Sequence, residues 1–205
     1  MFLTWFNKVF FIPLIKLLIL IKIKPNHITL LGLLLAIICC YLLINGMWLF
    51  AGFTLIISGF FDMLDGAVAR YSNTATSFGK FLDSFVDRVC ESLVLAGILI
   101  YFIFTEPNGI SALLAYTSIC SSIIVSYSRA RAESLGIEST EGLMTRAPRV
   151  ITLTIGIFIF SFLDNLIVLN LNFIDISLLL ITVLSLFTAI QRVLNVKKSL
   201  SHIEK

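Results

Sequence analysis

From residue 62 to residue 87 the chain reads Asp62-Met63-Leu64-Asp65-Gly66-Ala67-Val68-Ala69-Arg70, then YSNTATSF, then Gly79-Lys80-Phe81-Leu82-Asp83-Ser84-Phe85-Val86-Asp87. Asp62 and Asp65 are three apart, and Asp83 and Asp87 are four apart, so on helices each pair shares a face. The flanks identify the helices. Between Pro25 and Phe61 there is no Asp, Glu, Lys or Arg. One membrane span needs about 20 apolar residues, so this stretch suits two. Asn45-Gly46 is the turn between them. The first pair of carboxylates thus closes the second span, and the second pair opens the third.

Composition agrees. Of 205 residues, 59% are hydrophobic and 13% are charged, and the mean hydropathy is +1.03. A soluble domain carries about a quarter charged residues, so both an ordinary soluble enzyme and a disordered chain are excluded. The net charge of +3 is too small and too dispersed to argue for nucleic acid. Cys39, Cys40, Cys90 and Cys120 lie in apolar stretches without zinc-site spacing. They read as small buried hydrophobes.

These features predict an all-α integral membrane protein with six transmembrane helices, near 28–44, 48–69, 79–104, 110–126 (continuing as polar helix to Glu133), 148–163 and 175–193. Residues 1–24 are apolar with spaced lysines and Pro13. They read as an interfacial amphipathic N-terminal helix, with 25–205 forming a single membrane domain. With six spans, one side of the membrane receives fourteen of the fifteen Lys and Arg residues, and Arg88 lies about two turns into the third helix from that side. The opposite loops (45–47, 105–109, 164–174) hold none. By the positive-inside rule both termini and the aspartates are cytoplasmic, in the cell membrane.

Ionisable residues within spans are costly and mark function. Four carboxylates cannot all stay ionised together in a low-dielectric site without cations. Arg70, Lys80 and Arg88 cannot neutralise four anions and also orient a substrate. An all-oxygen cluster suits hard divalent ions, Mg²⁺, Mn²⁺ or Ca²⁺, and carboxylate-held Mg²⁺ commonly manages phosphate charge.

The full spacing, Asp62-x2-Asp65-Gly66-x2-Ala69-Arg70-x8-Gly79-x3-Asp83-x3-Asp87, resembles the signature of the CDP-alcohol phosphatidyltransferase family at all eight fixed positions. The resemblance implies a six-helix homodimeric membrane enzyme. Such an enzyme transfers a substituted phosphate from a CDP-linked lipid to an alcohol and releases CMP. It implies Mg²⁺ or Mn²⁺ in a two-metal site held by Asp62, Asp65, Asp83 and Asp87, with Asp87 also the general base. Gly66, Ala69 and Gly79 would let a nucleotide approach the backbone, and Arg70 can fork onto phosphate. Thr76 is a further candidate for the CDP phosphates. Pro25-Asn26-His27-Ile28-Thr29 reads locally as a helix start. It is similar to the family's P-N-x-x-T entry to the first span, which makes Asn26 and Thr29 nucleotide candidates.

The acceptor is read from the fourth-to-fifth connection, where Arg129, Arg131, Arg146 and Arg149 border the expected site. All four are Arg, the residue suited to bidentate phosphate recognition. The pattern resembles the inositol-phosphate branch of the family, although Thr145 stands where that branch carries an acidic residue. A phosphorylated acceptor follows: inositol phosphate first, glycerol 3-phosphate as the alternative. A membrane prenyltransferase would place its Asp-rich motifs far apart, whereas here Asp62 and Asp83 are separated by 21 positions. A cation transporter would need charge near mid-bilayer.

Overall fold

The computed structural model describes residues 12–138, 142–163 and 171–203. It is all-helical. A short helix α1 (Ile12–Leu20) leads into α2 (Pro25–Ile44), α3 (Trp48–Tyr71), α4 (Ser77–Ile100), α5 (Gly109–Ser134), α6 (Arg146–Phe162) and α7 (Phe173–Ile203). A π-type turn, Tyr101–Thr105, extends α4. Among the described residues five helices are long and apolar enough to cross a membrane: α2, α3, α4 with its extension, α5 and α7. The protein is a multi-pass membrane protein. With 17 residues, α6 is shorter than these five. The expected helical segments are all present, but only the second half of the expected N-terminal helix falls within the described residues. Lys8, Lys205 and most of the 164–174 connection lie outside them.

The boundaries follow from local chemistry. Pro25 opens α2, where its missing N–H costs nothing. Gly46, at φ +71°, turns the chain into α3. Thr76 caps α4, its Oγ1 accepting from the Gly79 N–H at 2.9 Å. Asn108 caps α5 by accepting from the Ile110 and Ser111 N–H groups.

Connection length and packing disagree at one point that matters. The short 72–76 connection argues that α3 and α4 are direct neighbours. Instead α2 packs along both of them, while α3 and α4 scarcely touch. Small residues allow the wedge. A Cβ on Gly97 of α4 would lie 2.9 Å from the Cys40 carbonyl oxygen and 3.1 Å from the Cys40 Cα on α2. Backbone cannot yield as a flexible side chain can, so Gly97→Ala is expected to destabilise by about 1–3 kcal/mol. Thermal unfolding in detergent measures this, and an unchanged midpoint would show that α2 can slide away from α4. The main core lies among α2, the first turns of α3, α4, α6 and α7, with Leu43, Ala51, Ile98, Ile157, Ile174 and Leu178 all buried. A second cluster (Ile15, Ile28, Leu64, Val68) seats α1 against α2 and α3.

Candidate active site

All four aspartates stand at one end of the bundle, two on the last turns of α3 and two on the first turns of α4. Because α2 holds these helices apart, the carboxylates face each other across a gap. One carboxylate oxygen from each of Asp62, Asp83 and Asp87 lies within 4.8 Å of the other two. That donor set, all oxygen and closely spaced, fits a hard divalent cation. Asp65 stands slightly apart. It is 4% exposed, and its Oδ2 accepts a 2.6 Å hydrogen bond from the Thr29 hydroxyl of α2. It lines a small recess shared with Asp62 and Asp87, and also a larger cavity shared with Asp83.

That larger cavity, of about 870 Å³, opens between the α1–α2 connection and the facing ends of α3 and α4. Every nucleotide candidate read from the sequence lines it: Asn26, Thr29, Gly66, Ala69, Arg70, Thr76 and Gly79. Several of them also have local structural tasks. Thr29 is buried and orients Asp65. Thr76 caps α4. A Cβ on Gly66 would lie 3.2 Å from Arg70 Nη1, so the glycine makes room for that guanidinium. A Cβ on Gly79 would meet Thr76 Oγ1 at 3.1 Å and Asn26 Oδ1 at 3.5 Å, which places the Asn26 amide against the start of α4. Lys22, Lys24 and Lys80 also line the cavity. Together with Arg70 and the N-terminus of α4, they make one wall that favours anions. Sequence reading had given Lys22 and Lys24 to the interface alone.

The four arginines of the acceptor reading separate. Arg146, the first residue of α6, reaches the carboxylates. Its Nη1 is 2.8 Å from Asp62 Oδ2, and its Nη2 is 2.9 Å from Asp87 Oδ1. Arg149, one turn on, is 3% exposed. It forks onto Glu91 of α4 at 2.6 and 2.8 Å and donates to the Met144 carbonyl at 2.9 Å. Arg129 pairs with Glu133 on the exposed end of α5 at 2.8 Å. Arg131, also exposed, donates to Ser134 on the same turn.

Two charged residues here escaped the sequence reading. Glu91 extends the Asp83–Asp87 ladder by one more turn, as Arg149 follows Arg146 by about one turn on α6. That register was the available signal. Arg192 of α7 had been counted only as a membrane-side charge. It is 3% exposed and donates to the Val125 carbonyl at 2.6 Å.

Residues 22–193 match the family described as CDP-alcohol phosphatidyltransferase. The chain belongs to the CDP-alcohol phosphatidyltransferase family. It is a transferase of phospholipid biosynthesis. Among its relatives is the archaetidylinositol phosphate synthase of Methanothermobacter thermautotrophicus, 37% identical over 177 residues, covering 86% of this chain and 84% of that protein. Another is the phosphatidylinositol phosphate synthase of Corynebacterium glutamicum, 31% identical over 191 residues, covering 91% and 84%. The crystal structure of Mycobacterium tuberculosis phosphatidylinositol phosphate synthase in complex with manganese and citrate superposes with a TM-score of 0.81. It is 26% identical, with 90% of this chain and 87% of that one covered. The same enzyme with CDP-DAG bound gives a TM-score of 0.80, with 90% and 92% covered.

Proposed function

We propose that this transferase moves the lipid phosphate of a CDP-linked lipid to inositol phosphate and releases CMP, at a divalent-cation site formed by Asp62, Asp65, Asp83 and Asp87. The observation that carries this reading is the juxtaposition of the Asp62, Asp83 and Asp87 oxygens with the basic-walled cavity. Mg²⁺ or Mn²⁺, when bound there, neutralises pyrophosphate charge and stabilises the departing CMP. The chain's own residues do the rest. Asn26, Gly66, Ala69 and Gly79 shape the nucleotide seat, and Thr29 fixes Asp65. Thr76 holds the start of α4, where Arg70, Lys22 and Lys24 meet the phosphates. Asp87 accepts the proton of the attacking acceptor hydroxyl as the new P–O bond forms and the bond to CMP breaks.

For the acceptor, Arg146 is the arginine placed beside Asp87, and Arg129 and Arg131 lie on the exposed end of α5, where they would draw in an anion. Arg149 acts indirectly by anchoring α6 to α4. Relatives that bear the names of inositol-phosphate-lipid synthases support a phosphorylated inositol. The one-sided Lys and Arg distribution supports six spans, with α6 as the fifth, and a cytoplasmic site in the cell membrane. The exposure of Leu17 and Leu20 on α1, beside Lys16 and Lys22, supports an interfacial entry helix. A homodimer completes the reading.

CMP release by purified protein with Mg²⁺ and CDP-diacylglycerol or CDP-archaeol is the test, with inositol phosphate, glycerol 3-phosphate, serine and free inositol supplied in turn. Release with inositol phosphate alone is expected. Release with glycerol 3-phosphate instead would keep the aspartate chemistry and discard the inositol assignment.

A further inference from the structure

Arg146 occupies an unusual position for a residue that serves an incoming substrate. Both of its terminal nitrogens are engaged by carboxylates of the cluster, at 2.8 and 2.9 Å. Its Nε is buried and has no hydrogen-bond partner among the described residues, so the guanidinium is incompletely satisfied there. The backbone beneath it is the first residue of α6, after an N-cap, Thr145, that makes no side-chain capping bond. One turn further, Arg149 is locked to Glu91. The helix is therefore pinned while the side chain ahead of the pin ends in a fork held by Asp62 and Asp87.

These two carboxylates, with Asp83, are also the donor set that fits a divalent cation. A guanidinium and a divalent ion draw on the same negative charge, and each weakens the hold of the other. A phosphorylated acceptor offers the fork a replacement partner of matching geometry.

We propose that Arg146 is exchanged between the Asp62–Asp87 pair and the acceptor's phosphate, so that cation binding and acceptor binding are positively coupled through this one side chain. Neutralising the carboxylates releases the fork toward the phosphate. A phosphate that captures the fork clears the carboxylates for the cation. Linkage makes the two effects equal. The inference rests on the phosphorylated-acceptor reading above, but its cation half does not.

The test is calorimetric and needs no turnover. Mn²⁺ is titrated into detergent-purified wild type, Arg146→Ala and Arg146→Gln, each first shown to keep its unfolding midpoint. Removing the competing cation should tighten Mn²⁺ binding about tenfold in both variants, within the usual range of coupling factors. Unchanged or weaker binding in either folded variant would overturn the exchange and make Arg146 a fixed support for the cluster. In the second arm, inositol phosphate and glycerol 3-phosphate are each titrated with and without saturating Mn²⁺, corrected for Mn²⁺–phosphate association in buffer. Whichever binds wild type should gain about tenfold with Mn²⁺, and that gain should vanish in Arg146→Gln. Equal affinity with and without Mn²⁺ would overturn the coupling. Coupled binding of glycerol 3-phosphate alone would uphold it while discarding inositol phosphate as the acceptor.

Discussion

Replacing Asp87 with Asn is expected to lower the rate of CMP release by about a thousandfold or more, because the general base proposed here contributes 10²–10⁴ by itself and one of its oxygens belongs to the set that fits a divalent cation. Asn keeps the shape of Asp but removes the charge, the basicity and one partner of Arg146. Asp62 still holds the other nitrogen of that guanidinium, so the local packing has no reason to collapse. The expected signature is loss of turnover with little change in unfolding midpoint. Adding Mn²⁺ should not restore the rate, because a proton acceptor is missing as well as a ligand. Activity within tenfold of wild type would remove Asp87 from the chemistry and leave Asp83 as the candidate base.

Glu91→Ala should produce the opposite signature, a large stability defect. Glu91 and Arg149 are 9% and 3% exposed and bound through two contacts of 2.6 and 2.8 Å. Removing the carboxylate leaves a guanidinium deep in the bundle with only the Met144 carbonyl and a 3.4 Å contact to Ser126. Breaking a buried pair in this way costs about 3–5 kcal/mol. Glu91→Gln keeps an acceptor and should cost less. Unfolding in detergent, followed by helical signal, measures both. A loss of under about 1 kcal/mol for Glu91→Ala would mean that Arg149 finds another anion or reaches water. Remaining activity should fall with the folded fraction, and more steeply if release of α6 displaces Arg146 from Asp62 and Asp87.

Much of this was legible in the sequence for definite reasons. The uncharged run from Pro25 to Phe61 and the Asn45-Gly46 turn located α2 and α3 to within a few residues, because apolar length and turn chemistry are local properties. The aspartates were legible because helical spacing alone puts each pair on one face. Their mutual approach through a gap was not. Adjacency in sequence argued for adjacency in space, and nothing in residues 72–76 reveals that α2 lies between. The arginines show the same limit. Arg146 and Arg149 look alike in the sequence, and only the register of α6 against α4 sends one to the carboxylate cluster and the other to Glu91. Thr29 was found by resemblance as a nucleotide candidate. Its bond to Asp65 depends on how α2 crosses α3, which no local pattern records.

The wedge formed by α2 also bears on how the enzyme comes into being. A chain entering the membrane from its N-terminus delivers α2 before α3 and α4, so the spacer is present when the acidic helices arrive and prevents them from closing on each other. For a time the nascent protein then carries four facing carboxylates without Arg146, which emerges roughly sixty residues after Asp87, some three to twelve seconds later at about 5–20 residues per second. During that interval Arg70, Lys80 and Arg88 are the basic side chains at hand within and between the acidic helices, and the contacts of 2.8 and 2.9 Å to Asp62 and Asp87 form only once α6 has followed. The order of synthesis thus sets the spacer first and the guanidinium last, so the shape of the gap between the carboxylates is decided before its charge is.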